Sequence, residues 1–149
     1  QALQGMDSQR PVWLEDESRH IGAVWLDLEF AQRIEQGPVV AIERSRQERA
    51  EFLATDYGDL PAELLMEGFA KIQRKLGGAG VNEAHSAVNA GDLKTASELA
   101  LGYYDKTYEY GLGKRQAATI HRLDVVGWDN SRIADYLIDN QQQWLSAAK

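Results

Sequence analysis

The segment that most restricts how this chain can fold is residues 12–19, which read VWLEDESR. Its three apolar residues, two of which favour β-structure, run directly into three carboxylates, a hydroxyl group and a guanidinium group. This pattern is typical of a short buried strand that emerges at the rim of an α/β sheet, where ligands bind. The same pattern also fits a strand that ends in a solvated acidic turn without a ligand.

A helix and a second strand follow the first segment. Asp27 is a suitable N-cap for a helix over residues 27–36, and Gly37-Pro38 would end that helix. Residues 39–42 read VVAI, a continuous run typical of a strand that is buried in a parallel sheet. The order strand, helix, strand predicts a right-handed crossover and an α/β fold.

Three arginines surround the start of the next helix. Residues 45–48 form a capping-box pattern, so a helix is predicted to begin there and to run towards Tyr57. The arginines Arg44, Arg46 and Arg49 lie at its first turn, where the amino end of a helix favours anions. They can equally pair with neighbouring glutamates on an ordinary solvated helix.

The remainder of the chain is predicted to be largely helical. A helix is predicted to start at Asp59-Leu60-Pro61, with the proline in its first turn, and to end at the glycines at 77–78, with Leu65, Phe69, Ile72 and Leu76 facing the core. Near its end are three cations, namely Lys71, Arg74 and Lys75. Their charge suits the carboxyl end of a helix, and they are also a candidate basic patch for RNA.

Tyrosines are concentrated in residues 103–110, which read YYDKTYEY. Tyr104 and Tyr108 could stack on unpaired bases, or they could be packing residues whose hydroxyl groups reach water or a carboxylate. This cluster continues a helix that Asp92 is predicted to cap, and a separate helix over 82–90 precedes it.

The tail is predicted to contain a strand within residues 119–126 and a final helix that begins at Asp129-Asn130-Ser131 and includes Trp144. The chain would then divide into an α/β part (1–60), a helical subdomain (61–113) and a carboxy-terminal strand and helix extension (114–149).

Composition excludes several function classes. The 149 residues include no cysteine, so a disulfide, a thiolate zinc site or a cysteine nucleophile is impossible here. The net charge of -7 argues against nucleic-acid binding through overall charge, although local basic surfaces remain. The absence of any apolar stretch long enough to span a membrane, or of a signal peptide, predicts a cytoplasmic protein. The three histidines have no metal-ligand spacing, and independent catalysis by this chain is not expected.

Several of these segments resemble the bacterial tRNA 2-selenouridine synthases. The clearest is residues 12–19 followed by Ile21-Gly22, and the tyrosine cluster at 103–110 resembles a second block of that family at a compatible distance. Between them, the arginine-bearing helix and Tyr57 are similar to further family features. The resemblance covers about residues 10–115.

The resemblance implies a chain with a rhodanese domain, which carries a reactive cysteine, followed by a P-loop domain. This sequence contains neither that cysteine nor a G-x-x-x-x-G-K-[ST] phosphate loop, and the glycines at 77–80 do not replace the loop. The chain is therefore expected to be the later part of the P-loop domain, and its opening at Gln1 fits a fragment. The expected fold is a partial P-loop-type parallel sheet of two to three strands with a predominantly helical carboxy-terminal half.

The resemblance also implies an activity, which is replacement of sulfur by selenium on wobble 2-thiouridine of tRNA. Selenophosphate and geranyl diphosphate would be the small substrates of the parent enzyme, with a geranylated intermediate and with Mg²⁺ as a further expectation, while this chain itself would hold no cofactor. Arg19 would bind phosphate, together with Arg44, Arg46 and Arg49 as lid contacts. Asp16, and less strongly Glu15, would position a metal ion or water.

The expected partners are tRNA, phosphate-bearing small molecules and the rest of the parent chain. Candidate tRNA contacts are Lys71, Arg74, Lys75, Tyr104 and Tyr108. Because so few strands make a marginal sheet with open edges, a homodimer, a swapped element or a largely helical body carrying most of the core is predicted. Two other classes stay open: a stand-alone helical RNA-binding or interaction module, and part of another P-loop kinase or transferase.

Overall fold

The computed structural model describes residues 5, 7, 10–16, 19–21, 23–115 and 120–146. Along the chain, the elements are β1 (His20–Ile21), β2 (Val24–Trp25), α1 (Leu28–Gln36), β3 (Val39–Glu43), α2 (Arg46–Asp56), α3 (Ala62–Lys71), α4 (Gln73–Asn89), α5 (Leu93–Leu112), β4 (Ile120–Asp124), α6 (Asn130–Asp139) and α7 (Gln141–Ser146). Among these residues, none of the helices combines the length and the apolar character that crossing a membrane requires.

The strands form two small sheets. β1 and β2 make an antiparallel hairpin in which His20 lies opposite Trp25. β3 pairs with β4, and the N–H of Val125, just after β4, donates to the carbonyl of Glu43 at the end of β3. Both strands therefore end at the same edge and run parallel. The expected α/β class, with a small parallel sheet and a helical carboxy-terminal half, is confirmed.

The prediction of a strand at residues 12–14 is wrong. Residues 11–16 adopt no regular secondary structure, and Val12, Trp13 and Leu14 are each exposed. An apolar run identifies a strand only if another strand accepts its backbone hydrogen bonds, and none of the described strands pairs with this segment. The residues that follow this segment form the separate β1–β2 hairpin.

The predicted starts of α1 and α2 are confirmed. Asp27 accepts hydrogen bonds from the backbone N–H groups of Glu29 and Phe30, and α1 ends at Gly37. Ser45 and Glu48 form a reciprocal capping box at the start of α2, in which each side chain accepts from the backbone N–H of the other residue. Both caps satisfy amide groups that have no partner inside the helix.

The glycines at 77–78 were predicted to end a helix, but α4 continues across them with a kink. Pro61 is the N-cap of α3 rather than its first helical residue, and Ile72 separates α3 from α4. Gly77 alone leaves helical geometry, with φ +82°, and it kinks α4 after one turn. A residue with a Cβ would be strained at that φ. The residues after Gly77 are already helical, so this helix begins before the predicted Asn82.

The later elements agree with the predicted pattern except at the end. Asp92 caps α5 by accepting from the N–H of Thr95, and the tyrosine cluster lies on this helix. β4 lies within the predicted strand, whose residue 119 is outside the described residues. Asp129 caps α6, but Asn140 separates α6 from α7, so Trp144 lies on a second short helix and not on α6.

The chain divides into two compact units. The first unit contains Gln1–Ala41, Arg115–Leu123 and Trp128–Lys149. Its buried apolar residues are Ala31 and Ile133, and an aromatic cluster joins His121, Tyr136 and Trp144 with ring centroids 5.2–6.5 Å apart.

The second unit contains Ile42–Lys114 and Asp124–Gly127. Its core is formed by helices α3, α4 and α5, with Phe69, Val81, Ala84, Ala87, Val88 and Ala96 buried. Leu65, Ile72 and Leu76 pack against that core, as their spacing predicts. The prediction of a helical body that carries most of the core is confirmed for this unit. The three-part division at residues 60 and 113 stays a prediction.

Candidate anion-binding site

Two predicted arginines of α2 converge on one carboxylate of α5. Arg49 donates through both terminal nitrogens to Asp105, with Nη1–Oδ1 at 2.6 Å and Nη2–Oδ2 at 3.1 Å. Arg46 donates through Nη2 to Oδ2 of the same carboxylate at 3.2 Å. Two positive charges therefore share one negative charge.

The local sequence explains this convergence. The capping box starts α2 at Arg46, and a spacing of three residues places Arg46 and Arg49 on one face of the helix. That face packs on α5, and the ion pair between Glu51 and Lys94 (2.9 Å) lies further along the same two helices. Because Arg46 meets Asp105 while the later Glu51 meets the earlier Lys94, α2 and α5 run antiparallel.

The arginines change the acidity of Asp105. The hydrogen bonds from Arg49 lower the pKa of the Asp105 carboxyl most, and the one from Arg46 lowers it further, while burial raises it. The carboxylate is consequently ionised throughout the neutral pH range and holds both guanidinium groups.

Glu48 connects the start of α2 to the segment after β4. Its carboxylate accepts from the N–H of Gly127 at 2.7 Å and from the N–H and hydroxyl of Ser45 at 3.1 and 2.7 Å. The hydrogen bond from Gly127, followed by that from the Ser45 hydroxyl, lowers the pKa of Glu48, and the charge of Arg44 adds to the effect. Arg44 thus lies close enough to Glu48 to stabilise its negative charge.

The basic residues near Gly77 have a different environment. Lys71, Arg74 and Lys75 are all exposed. They form no ion pair or side-chain hydrogen bond with the part of the chain that the structure describes. We call these three residues the basic cluster. Their charges are therefore available to a ligand without the loss of an internal contact.

The tyrosine candidates lie on the carboxy-terminal half of α5. Tyr104 and Tyr108, four residues apart on one face, are both exposed. The ring of Tyr104 also contacts Tyr103, with centroids 4.9 Å apart. Exposed rings on a rigid helix are suitable for stacking, although each also has contacts within the protein.

Asp16 is held by an arginine that the sequence did not indicate as its partner. The Arg115 guanidinium bonds to the Asp16 carboxylate and donates to the carbonyls of Ile34 and Glu35 at 3.1 and 2.8 Å. The Arg115 side chain is only 9% exposed. It therefore neutralises Asp16 and satisfies the carboxyl end of α1. A role for Asp16 in positioning metal or water stays a prediction, as does that of the exposed Glu15.

Arg19 is part of the β1–β2 hairpin. Its Nε donates to the carbonyl of Leu26 at 2.8 Å, and the N–H of Leu26 donates back to the carbonyl of Arg19. Its guanidinium lies 5.8 Å from the ring centroid of Trp25, which stacks on His20. Arg19 thus has a structural role, and its phosphate role stays a prediction.

The structure brings together only some of the predicted site residues. Arg46 and Arg49 meet at Asp105 in the second unit, whereas Asp16 and Arg19 belong to the first unit and do not share a contact there. The common pocket expected for all four stays a prediction. Among the described residues, no group of three or more His, Asp or Glu side chains is placed to hold a metal ion.

Sequence reasoning missed Asp105 and Arg115. Asp105 lies within the tyrosine cluster and is 56 positions from Arg49, so no local spacing links them. Arg115 is 99 positions from Asp16, so local spacing does not link that pair either.

Comparisons with known proteins agree with the resemblance. Residues 1–63 match the family model described as the tRNA 2-selenouridine synthase AAA domain. A tRNA 2-selenouridine synthase from Verminephrobacter eiseniae is 27% identical, over 75% of this chain and 39% of that protein. This chain is therefore similar to tRNA 2-selenouridine synthases over most of its length. A synthase from Marinobacter nauticus is 26% identical, over 82% of this chain and 42% of that protein.

The chain spans about two fifths of the length of these synthases. No solved structure matches it significantly. The family match includes α1, β3 and α2, and hence Arg46 and Arg49, while the two related synthases extend the likeness over most of the chain.

Proposed function

We propose that this chain is part of a tRNA 2-selenouridine synthase and contributes contacts with a phosphate-bearing ligand and with tRNA. The reaction of the whole protein would convert wobble 2-thiouridine to 2-selenouridine through a geranylated intermediate. Its small substrates would be selenophosphate and geranyl diphosphate. The two related synthases support this assignment, and it implies that the protein acts in the cytoplasm with the rest of its parent chain.

The observation that carries the phosphate role is the shared carboxylate of Asp105. Arg46 and Arg49 together have one more charge than Asp105 neutralises, and Arg44 lies close to the same helix start. The helix dipole adds a positive potential there. A phosphate group would relieve this surplus. Arg44, Arg46 and Arg49 are the proposed contacts at this helix start. Arg19, in the first unit, is a separate proposed phosphate contact through its remaining N–H groups.

The tRNA role is supported by the basic cluster. Lys71, Arg74 and Lys75 are free to meet backbone phosphates, and the exposed rings of Tyr104 and Tyr108 offer surfaces on which bases could stack. The net charge of -7 restricts attraction for RNA to such a local surface. The same observations fit the alternative of a stand-alone helical RNA-binding module, which would lack the phosphate-ligand site.

The described residues offer no fitting set of donors for a magnesium ion. The Asp16 carboxylate is bonded to Arg115, and no cluster of acidic or histidine side chains exists among the described residues. Mg²⁺ requires several oxygen ligands in near-octahedral geometry. The proposal therefore uses no metal-dependent step on these residues.

The phosphate role is tested with geranyl diphosphate and geraniol, which differ only in the charged group. Isothermal titration calorimetry should detect the diphosphate but not the alcohol. The double variant Arg44→Gln/Arg46→Gln should weaken binding at least about ten-fold, whereas Glu51→Gln on the same helix should not. Equal binding of geraniol and geranyl diphosphate would exclude a phosphate site. The RNA-binding module would bind RNA and neither small molecule.

A further inference from the structure

The two arginines that meet Asp105 are held unequally. Arg49 makes two hydrogen bonds, one to each carboxylate oxygen, and the shorter is 2.6 Å. Arg46 makes one hydrogen bond of 3.2 Å, to an oxygen that Arg49 also uses. Bidentate pairing fixes a guanidinium more strongly than a single long contact does.

The more weakly bonded arginine, Arg46, is also the more exposed of the two. The side chain of Arg49 is 34% exposed and that of Arg46 is 53% exposed. The Nε atom of Arg49 is buried, so the residues packed around it restrict this side chain. Among the described residues, the Arg46 guanidinium forms no other hydrogen bond or ion pair, so most of its donors remain available.

The positive charge of Arg46 is not needed to neutralise Asp105. Asp105 and Arg49 form a neutral pair by themselves, which leaves the charge of Arg46 for a second anion. A single solvent-exposed contact between charged groups costs little to break. An incoming phosphate would therefore take Arg46 away from Asp105 and would leave the Asp105–Arg49 pair intact.

We propose that Arg46 binds the phosphate of the ligand and releases Asp105 when it does so. Arg49 is a positioning residue that keeps its hydrogen bonds to Asp105. This inference rests on the proposed phosphate role and revises it at one residue: of the contacts proposed there, Arg46 meets the phosphate, whereas Arg49 supports the site through Asp105 without touching the ligand. Asp105 then acts as an internal competitor: it keeps Arg46 ordered when no ligand is bound and lowers the affinity for the ligand.

The test is titration of the 149-residue chain with inorganic pyrophosphate, combined with thermal unfolding. Arg46→Gln should weaken pyrophosphate binding at least about ten-fold with little change in Tm. Arg49→Gln should lower the Tm by about 3–6 °C and change the affinity less than about three-fold. Glu51→Gln is the matched control, because it breaks another α2–α5 ion pair without touching Asp105.

The variant Asp105→Asn tests whether Asp105 competes with the ligand for Arg46 or orients Arg46 for the ligand. If Asp105 competes with the ligand, this variant should bind pyrophosphate about two- to three-fold more tightly despite a lower Tm. Weaker binding would overturn the inference, because it would mean that the ligand needs Asp105 to orient Arg46. Equal losses of affinity in Arg46→Gln and Arg49→Gln would overturn it as well.

Nitrogen-15 NMR of the arginine Nε–H groups provides a readout that does not depend on stability. Pyrophosphate should shift the Arg46 signal and leave the Arg49 signal nearly unchanged. If wild-type protein does not bind pyrophosphate, the proposed phosphate role fails together with this inference. If pyrophosphate binds and both signals move equally, only the division of tasks fails.

Discussion

The second unit contains two groups of basic side chains, which differ in whether an acidic side chain of the protein pairs with them. The α2 arginines are bonded to Asp105, whereas the basic cluster at Lys71, Arg74 and Lys75 has no acidic partner among the described residues. A cation with an internal partner contributes to folding, because its removal takes hydrogen bonds away from that partner. A cation without a partner contributes little to folding and keeps its charge for a ligand. Stability and binding measurements should therefore separate the two groups.

The largest expected effect is on RNA binding by the basic cluster. The variant Lys71→Gln/Arg74→Gln/Lys75→Gln should bind an anticodon stem-loop with at least about ten-fold lower affinity at low salt. The slope of log K against log salt should fall by about 2–3, since up to three phosphate contacts are lost. Fluorescence anisotropy at several salt concentrations measures both quantities.

The free energy of unfolding of that triple variant should stay within about 0.5 kcal/mol of wild type, because no internal contact is removed. Arg33→Gln, which replaces an exposed arginine of α1, is a control for the loss of one positive charge outside the basic cluster. A salt slope equal to that of wild type would show that RNA does not use the basic cluster.

The next effect is on the stability of the paired group. Arg49→Ala removes both hydrogen bonds of the bidentate pair and should lower the free energy of unfolding by about 1–2 kcal/mol. Urea denaturation measures the change. Arg49→Lys should recover only part of the loss, because an ammonium group cannot reproduce the two parallel bonds. An unchanged midpoint in Arg49→Ala would remove the distinction between the two basic groups.

A smaller effect is expected from pH. The pKa of Asp105 is lowered in the folded protein, so its ionised form stabilises the fold above the ordinary aspartate pKa of about 4. That contribution should be lost as the pH falls through the lowered pKa. The difference in stability between wild type and Asp105→Asn should therefore be largest at pH 6.5 and should shrink below about pH 4. A difference that grows on acidification would contradict the lowered pKa.

The smallest effect is expected for the exposed pair at the other end of the same interface. Glu51→Gln removes the ion pair with Lys94, which is open to solvent. Its Tm should change by less than half of the change in Arg49→Ala, because solvent and salt screen such pairs. Thermal unfolding at low and high salt tests this order. A larger change in Glu51→Gln would show that position along α2 and α5, and not bidentate geometry, determines the contribution.

Local signals predicted the elements more successfully than the contacts between them. The cap at Asp27 and the capping box at Ser45 and Glu48 depend on groups within three residues, and both are present. The strand at residues 12–14 was mispredicted because pairing with a distant strand decides whether an apolar run becomes a strand. Gly77 breaks its helix, but its neighbours stay helical since packing outweighs their low propensity.

The candidate site shows the same division. Spacing was sufficient to place Arg46 and Arg49 on one face of a helix, as the structure has them. Their shared partner Asp105 and the Asp16–Arg115 bond each join residues far apart in the sequence. A single sequence contains no distance information for such pairs. Charge and periodicity can therefore identify candidate ligand-binding residues, but they do not reveal which of them the fold itself uses.

The kink at Gly77 separates two parts of α4 with different surroundings. The residues after it supply Val81, Ala84, Ala87 and Val88 to the core, while the single turn before it carries Arg74 and Lys75. Slow amide hydrogen exchange is therefore expected after the kink and faster exchange before it. Because Leu76 in this turn packs against the core, the kink sets where Arg74 and Lys75 lie relative to the packed helix beyond it.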